Sequence, residues 1–330
     1  QASVIVFAAT LVSLFMDWGS MYSGVSDMDV FINKGFVTGL FVIAAFVLYR
    51  KLLSKESNDF FGIEISEARQ IIGGLGIGLG FIVGLLELNY SMSVYFTKPI
   101  LRDVFQGIYI LGFLVTVLTI IRRKGNDSAQ LIILPFAVFG IGLYIFSYQG
   151  SISSARYLTF VENRDYAWIF NMHYIGTLMF ALLLSEIDKL VSRNNNLKSI
   201  AGRFLLPFIA VSTVIIASQE LNHLSIQMFY TGQDYANIIT QTQKAGFALM
   251  WGVLATIYMI IGIKKKEKTW RLMSLILLSI TLLKLFIYDI RGISEGGKIA
   301  AFIGLGVLLL TVSFMYQKVK DLILNDEKNG

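Results

Sequence analysis

A chain of 330 residues that is 55% hydrophobic and only 15% charged, with mean hydropathy +0.66, carries more apolar surface than a soluble domain can bury. Part of its solvent is therefore lipid. It has no cysteine, which excludes a disulfide framework, a thiol nucleophile and a cysteine-ligated metal.

Taken in chain order, ten apolar segments lie near 1–18, 31–52, 68–90, 99–121, 128–149, 166–188, 203–223, 236–263, 270–289 and 297–317. Each approaches the roughly 17–25 residues that cross a hydrocarbon core of about 30 Å. Lipid satisfies no backbone hydrogen bond, so these segments are expected to be helices; no period-two alternation indicates barrel strands. The reading is an all-α polytopic membrane protein with one transmembrane domain over 1–318 and a cytoplasmic tail over 319–330. The first residue is Gln1 and residues 1–16 already read as helix without a basic leader, so the natural start is expected upstream.

Charge sorts the connections. Nineteen of the 28 Lys and Arg residues fall in the loops after the second, fourth, sixth and eighth segments and in the tail. Short loops rich in Lys and Arg stay cytoplasmic, which places both ends of the chain inside a bacterial inner membrane. The run Lys264-Lys265-Lys266-Glu267-Lys268 reads as the flank of a stop-transfer helix, and no nucleic-acid partner is expected. The expected partners are membrane lipids, with an envelope protein or a lipid-linked glycan beyond them.

Each outward helix ends on a polar phrase: "LFMDWGSMYS" with Asp17, "LLELNYSMS" with Glu87, "FSYQGSISS" with Gln149, "SQELNHLSI" with Glu220 and "FIYDIRGIS" with Asp289. The spacings between these residues are 70, 62, 71 and 69. A period near seventy predicts five parallel two-helix hairpin repeats. From Arg69 to Glu87, Arg203 to Glu220 and Arg271 to Asp289 the chain runs 18, 17 and 18 residues. At about 1.5 Å per residue this puts all three acids near the outer edge of the hydrocarbon. They form a belt.

The belt gathers further groups. Glu220 and His223 share a helix face, as do Gln219 and His223; Glu87 and Tyr90 repeat the relation, and Asn89 and Asn222 complete the two phrases. His173 lies near the outer end of the sixth segment, and Asn237, Gln241 and Lys244 form one stripe on the eighth. Lys284 sits below Asp289 and Arg291, and Lys244 or Lys284 is the expected basic partner of Glu220. Two histidines without a close-spaced ligand pair argue against a metal, and no cofactor is expected.

The glycines of "GGLGIGLGFIVG" follow no strand, so they do not cradle a dinucleotide; Gly76, Gly80 and Gly84 instead form a small-residue ridge for helix packing. Pro135 is expected to kink its helix, and Pro207 to fall near a helix start. Tyr22, Trp168, Tyr230 and Trp270 read as interfacial anchors.

The C-terminal third resembles the end of a family of predicted bacterial multi-spanning membrane proteins, catalogued as domain-of-unknown-function twenty-three thirty-nine. The phrase from Lys284 to Asp289 and the following "GGKIAAFIGLGVLLL" carry the resemblance most specifically. The Glu220 phrase and "NKGFVTGLF" at 33–41 add to it. The resemblance implies a polytopic membrane protein with longer relatives and brings no established activity. Three function classes remain. The leading one is a scaffold or partner-binding subunit of the bacterial envelope. The second is an enzyme or binder of a lipid-linked or glycan substrate at the outer leaflet, with Glu220, Glu87 or Asp289 as acid or base and His223 as proton shuttle. A transporter is disfavoured because few ionisable groups lie near the midplane.

Overall fold

The computed structural model describes residues 2–23, 28–55, 64–124, 127–162, 164–193 and 195–285, with isolated positions between 287 and 314. Its elements are all helical. They are α1 (Ala2–Ser23), α2 (Lys34–Leu53), α3 (Ile65–Tyr95), α4 (Pro99–Lys124), α5 (Asp127–Leu143), α6 (Gln149–Phe160), α7 (Ala167–Asn171), α8 (His173–Arg193), α9 (Asn195–Phe229), α10 (Tyr235–Gln241), α11 (Phe247–Lys264) and α12 (Lys268–Lys284). Single π-helical turns, Tyr144–Tyr148 and Thr242–Gly246, join α5 to α6 and α10 to α11. Among the described residues, seven helical stretches are long and apolar enough to cross a membrane, from Lys34–Leu53 through Tyr235–Lys264. The expected segments from 1–18 to 270–289 fall on these helices, on α1 and on α12. The segment at 297–317 lies largely outside the described residues, and the tail with Asp289 and Arg291 lies wholly outside them.

The helices run further than the sequence reading placed them. α3 continues to Tyr95 and α9 to Phe229, so Glu87 and Glu220 sit about two turns inside their helix ends. The rod through Gln149 continues to Phe160. Ser154 and Thr159 return their hydroxyls to the carbonyls of Gly150 and Ala155, four residues back, which satisfies these hydroxyls within the helix. Pro207 is a second correction. α9 begins at Asn195, so the proline lies inside the helix rather than near its start.

Among the described residues two main cores hold the bundle, with a minor contact of Ala248 on Leu285 beside them. Trp18, Phe46, Leu79 and Val83 close a small one between α1, α2 and α3. A larger one runs through α4 to α12, with Leu111, Leu118, Ile141, Leu183 and Met259 fully buried. Trp270 belongs to it, packed on Tyr258 at 5.2 Å and 5% exposed, so it is not an interfacial anchor. Large apolar side chains on the outside, such as Phe41, Phe146 and Phe204, are 72%, 84% and 74% exposed and suit a lipid boundary.

The glycine ridge is present. Gly76 faces Phe46 and Gly80 faces Ile43, both on α2, while Gly84 faces Tyr109 on α4. Gly39 answers from α2: a Cβ there would stand 2.7 Å from Val83 Cγ1. Gly39→Ala is therefore expected to force α2 and α3 apart and cost about 1–3 kcal/mol. The readout is thermal unfolding in detergent. Gly74→Ala, with nothing within 4 Å of its added methyl, is the control that leaves the melting temperature in place.

Ion pairs collect at one end of the bundle. Arg122 Nε lies 2.5 Å from Glu186 Oε2, and Lys189 Nζ lies 2.9 Å from Glu186 Oε1. Lys265 Nζ meets Asp188 at 2.5 Å. These contacts bring the C-terminal ends of α4, α8 and α11 to one side, where the basic clusters already suggested a common face.

Candidate functional site

Two polar nodes form at the opposite end. The first surrounds Glu87, which is 1% exposed. Its Oε1 accepts from the Phe31 amide at 2.7 Å and the Ser91 hydroxyl at 3.1 Å. Its Oε2 accepts from Asn33 Nδ2 at 2.7 Å and the Tyr22 hydroxyl at 3.0 Å. Asn33 also caps α2, accepting from the Phe36 amide at 2.8 Å. Tyr90, one turn above Glu87, holds both backbone groups of Met28, at 2.7 Å to the amide and 2.6 Å to the carbonyl. One carboxylate and one phenol thus tie the end of α1, the 28–33 connection and α2 to α3. Tyr22, read as an interfacial anchor, is instead a donor to Glu87.

The second node lies between α6, α8 and α9. The helix breaks between α7 and α8 at Met172, and His173 opens α8 with its Nδ1 on the Phe170 carbonyl. A carbonyl only accepts, so Nδ1 carries the proton there and Nε2 is left to act as a base. That Nε2 lies 3.3 Å from Glu220 Oε2, while Thr177 donates to Glu220 Oε1 at 2.6 Å. His173 and His223 are both fully buried, their rings 4.8 Å apart. Arg156, two turns along α6 from Gln149, donates from Nη1 to His223 Nδ1 at 2.9 Å and from Nε to the Tyr235 hydroxyl at 3.0 Å. Arginine only donates, which sets the proton of His223 on Nε2. That Nε2 is buried without a partner, and so are Asn222 Oδ1 and both amide atoms of Gln149. The π-helical turn Tyr144–Tyr148 runs alongside, with the Tyr144 hydroxyl 3.4 Å from Thr177 Oγ1. Such single turns often mark functional sites.

Sequence comparison completes the picture. The family described as "Predicted membrane protein (DUF2339)" matches residues 1–319. The chain belongs to this family. It is a multi-pass membrane protein, and the family's description attaches no role to it. No curated protein and no solved structure matches it.

In this DUF2339 chain the expected belt divides. Glu220, His223 and His173 come together, and Glu87 gathers its own partners with Tyr90 close by. Asn89 accepts from Gln106 of α4 at 3.0 Å, a link between helices away from both nodes. Asp17 and Asn237 are exposed, and Gln219 and Gln241 are half-buried. The hydrogen-bond contacts of Glu220 are His173 and Thr177. Lys284 Nζ reaches the Gln243 carbonyl at 2.8 Å and lies 5.9 Å from the centre of the Trp251 ring, and Lys244 stands in the second π-helical turn. The basic group at this node is Arg156, reached through His223. Arg156, Asn33 and Thr177 were not singled out in the sequence. The signal for Asn33 was its place before Lys34-Gly35-Phe36, where an N-cap is due. For Arg156 it was a lone arginine in an otherwise uncharged serine-rich stretch.

Proposed function

We propose that this protein is a scaffold or partner-binding subunit of the bacterial inner membrane, built from parallel helical hairpins with both ends of the chain in the cytoplasm. The observation that carries the reading is Glu87. It is buried, its oxygens are shared among four donors, and three successive segments meet on it. A carboxylate used in this way holds helices together at the membrane edge and has no oxygen to spare for a substrate. The charge asymmetry of the loops supports the orientation, with the polar nodes on the extracytoplasmic side. Under it, a cysteine replacing Thr231 reacts with an impermeant maleimide in intact cells and one replacing Lys264 does not. Both positions are exposed and flank one candidate span, Tyr235–Lys264.

A second reading rests on the other node. Buried polar atoms without partners at Gln149, Asn222 and His223 favour a binder or enzyme for a lipid-linked or glycan substrate at the outer leaflet. Glu220→Gln separates the two. A scaffold loses function only to the extent that the variant protein is lost from the membrane. An enzyme gives a variant that is folded and abundant yet reproduces the phenotype of a gene deletion. The scaffold proposal fails on that second result.

A further inference from the structure

The second node has the composition and spacing of a metal centre, and this inference stands whether or not the scaffold reading holds. His173, Glu220 and His223 each present one ligand atom, and these atoms lie within 4.8 Å of one another. We propose that they bind one divalent transition-metal ion of the zinc type, through His173 Nε2, His223 Nε2 and the Glu220 carboxylate.

Three observations converge on it. His173 is oriented as metal-bound histidines are, with the far ring nitrogen donating to a backbone carbonyl, here that of Phe170, and the near one free. Its free Nε2 faces Glu220 Oε2 at 3.3 Å. Two acceptors so placed need a cation between them. Around a tetrahedral ion with bonds of about 2.0–2.1 Å, neighbouring ligand atoms stand roughly 3.3 Å apart, which is the separation of this pair, with the His223 ligand atom within 4.8 Å of both. A shared proton also satisfies that pair, but it leaves His223 Nε2 buried and unpartnered, whereas a metal ion occupies both positions. Two imidazoles and one carboxylate are a ligand set for zinc and its neighbours rather than for calcium or magnesium. Glu220, its side chain 15% exposed, leaves the way open to a fourth ligand.

Arg156 works against the ion. Its hydrogen bond to His223 Nδ1 keeps the ring proton on Nε2, the atom the metal needs. Binding the ion through Nε2 moves that proton to Nδ1, where it opposes the guanidinium, so Arg156 must release the ring and stay on Tyr235. The guanidinium thus acts as a brake that holds the affinity down and the ion exchangeable. Gln in its place supplies a carbonyl oxygen that accepts from Nδ1–H, the arrangement usual around metal-bound histidine.

The test uses the full chain, without a polyhistidine tag, purified in detergent, stripped with a chelator and then titrated with zinc. One zinc per chain is expected after desalting. His173→Gln and His223→Gln should each weaken binding more than about tenfold, and Arg156→Gln should strengthen it by about tenfold or more, the scale of changes in a metal's outer shell. Cobalt(II) in the wild-type chain should give the visible absorption of a tetrahedral site. That readout needs no variant to fold. Wild-type protein that retains no zinc and gives no such cobalt spectrum overturns the proposal and leaves a shared proton between His173 and Glu220. So does zinc binding that His173→Gln and His223→Gln leave unchanged.

Discussion

Glu87→Gln is expected to lower the stability of the purified chain by about 3 kcal/mol, seen as a marked fall in melting temperature in detergent. Hydrogen bonds to a charged group contribute roughly 1.5–3 kcal/mol each, more than neutral ones. All four groups on Glu87 are donors, two on each oxygen. Gln keeps the shape but turns one oxygen into an amide that itself donates, so a pair of donors is left facing another. If the amide nitrogen takes the Oε2 position, it opposes Asn33 Nδ2; in the other orientation it opposes the Phe31 amide, and only the Tyr22 and Ser91 hydroxyls can turn to accept from it. Neither rotamer is satisfied. Interhelical hydrogen bonds in membranes average only about 0.6 kcal/mol, and the larger figure here comes from the buried charge and its four partners. Tyr22→Phe removes one donor and should cost less. The double variant should cost less than the two single changes added together, because the phenol has no use once its acceptor is spoiled.

The other large effect belongs to the opposite end. Arg122→Met should destabilise by about 3 kcal/mol or more, since breaking a buried ion pair strands a charge. Glu186 is 6% exposed and would keep only Lys189, a half-exposed side chain one helical turn away. Arg122 supplies two contacts, Nε at 2.5 Å and Nη2 at 3.3 Å. Replacing both partners by apolar residues of similar volume, Arg122→Met with Glu186→Met, should recover most of the loss. Desolvating two charges offsets much of their attraction, and methionine pays no such cost in a greasy setting. Thermal unfolding of the wild type, the two single variants and the double variant measures this. A double variant as unstable as Arg122→Met alone would mean the pair does more than neutralise itself.

The spans were legible because length and hydropathy are properties of a segment by itself. That Glu87 and Glu220 stand in helices was legible too, because each sits within a long apolar segment. Their partners were not. Which helix lies beside α9 is decided by packing across 40 to 70 residues of chain: His173 is 47 residues from Glu220, and Arg156 is 67 from His223. Lys244 and Lys284 drew attention by residue type, but α8 and α6 supply the contacts to Glu220 and His223. Tyr22 shows the same limit in reverse. A tyrosine at a helix end is an interfacial anchor by default, and only the return of the 28–33 connection over Glu87 turns it into a donor. Pro207 and the long reach of α9 mark a third limit, since the residues before a membrane span are free to extend it as helix beyond the lipid.

The central claim is that Glu87 is an internal structural node rather than an open site. It is tested most directly by treating membranes with a water-soluble carbodiimide and an amine, and reading the modified carboxylates by mass spectrometry. Asp17 and Asp29, both exposed, serve as controls within the same molecule. The account predicts that they are modified while Glu87, at 1% exposure, stays unmodified until the protein is unfolded. Modification of Glu87 in the folded protein at the rate of Asp17 would contradict it.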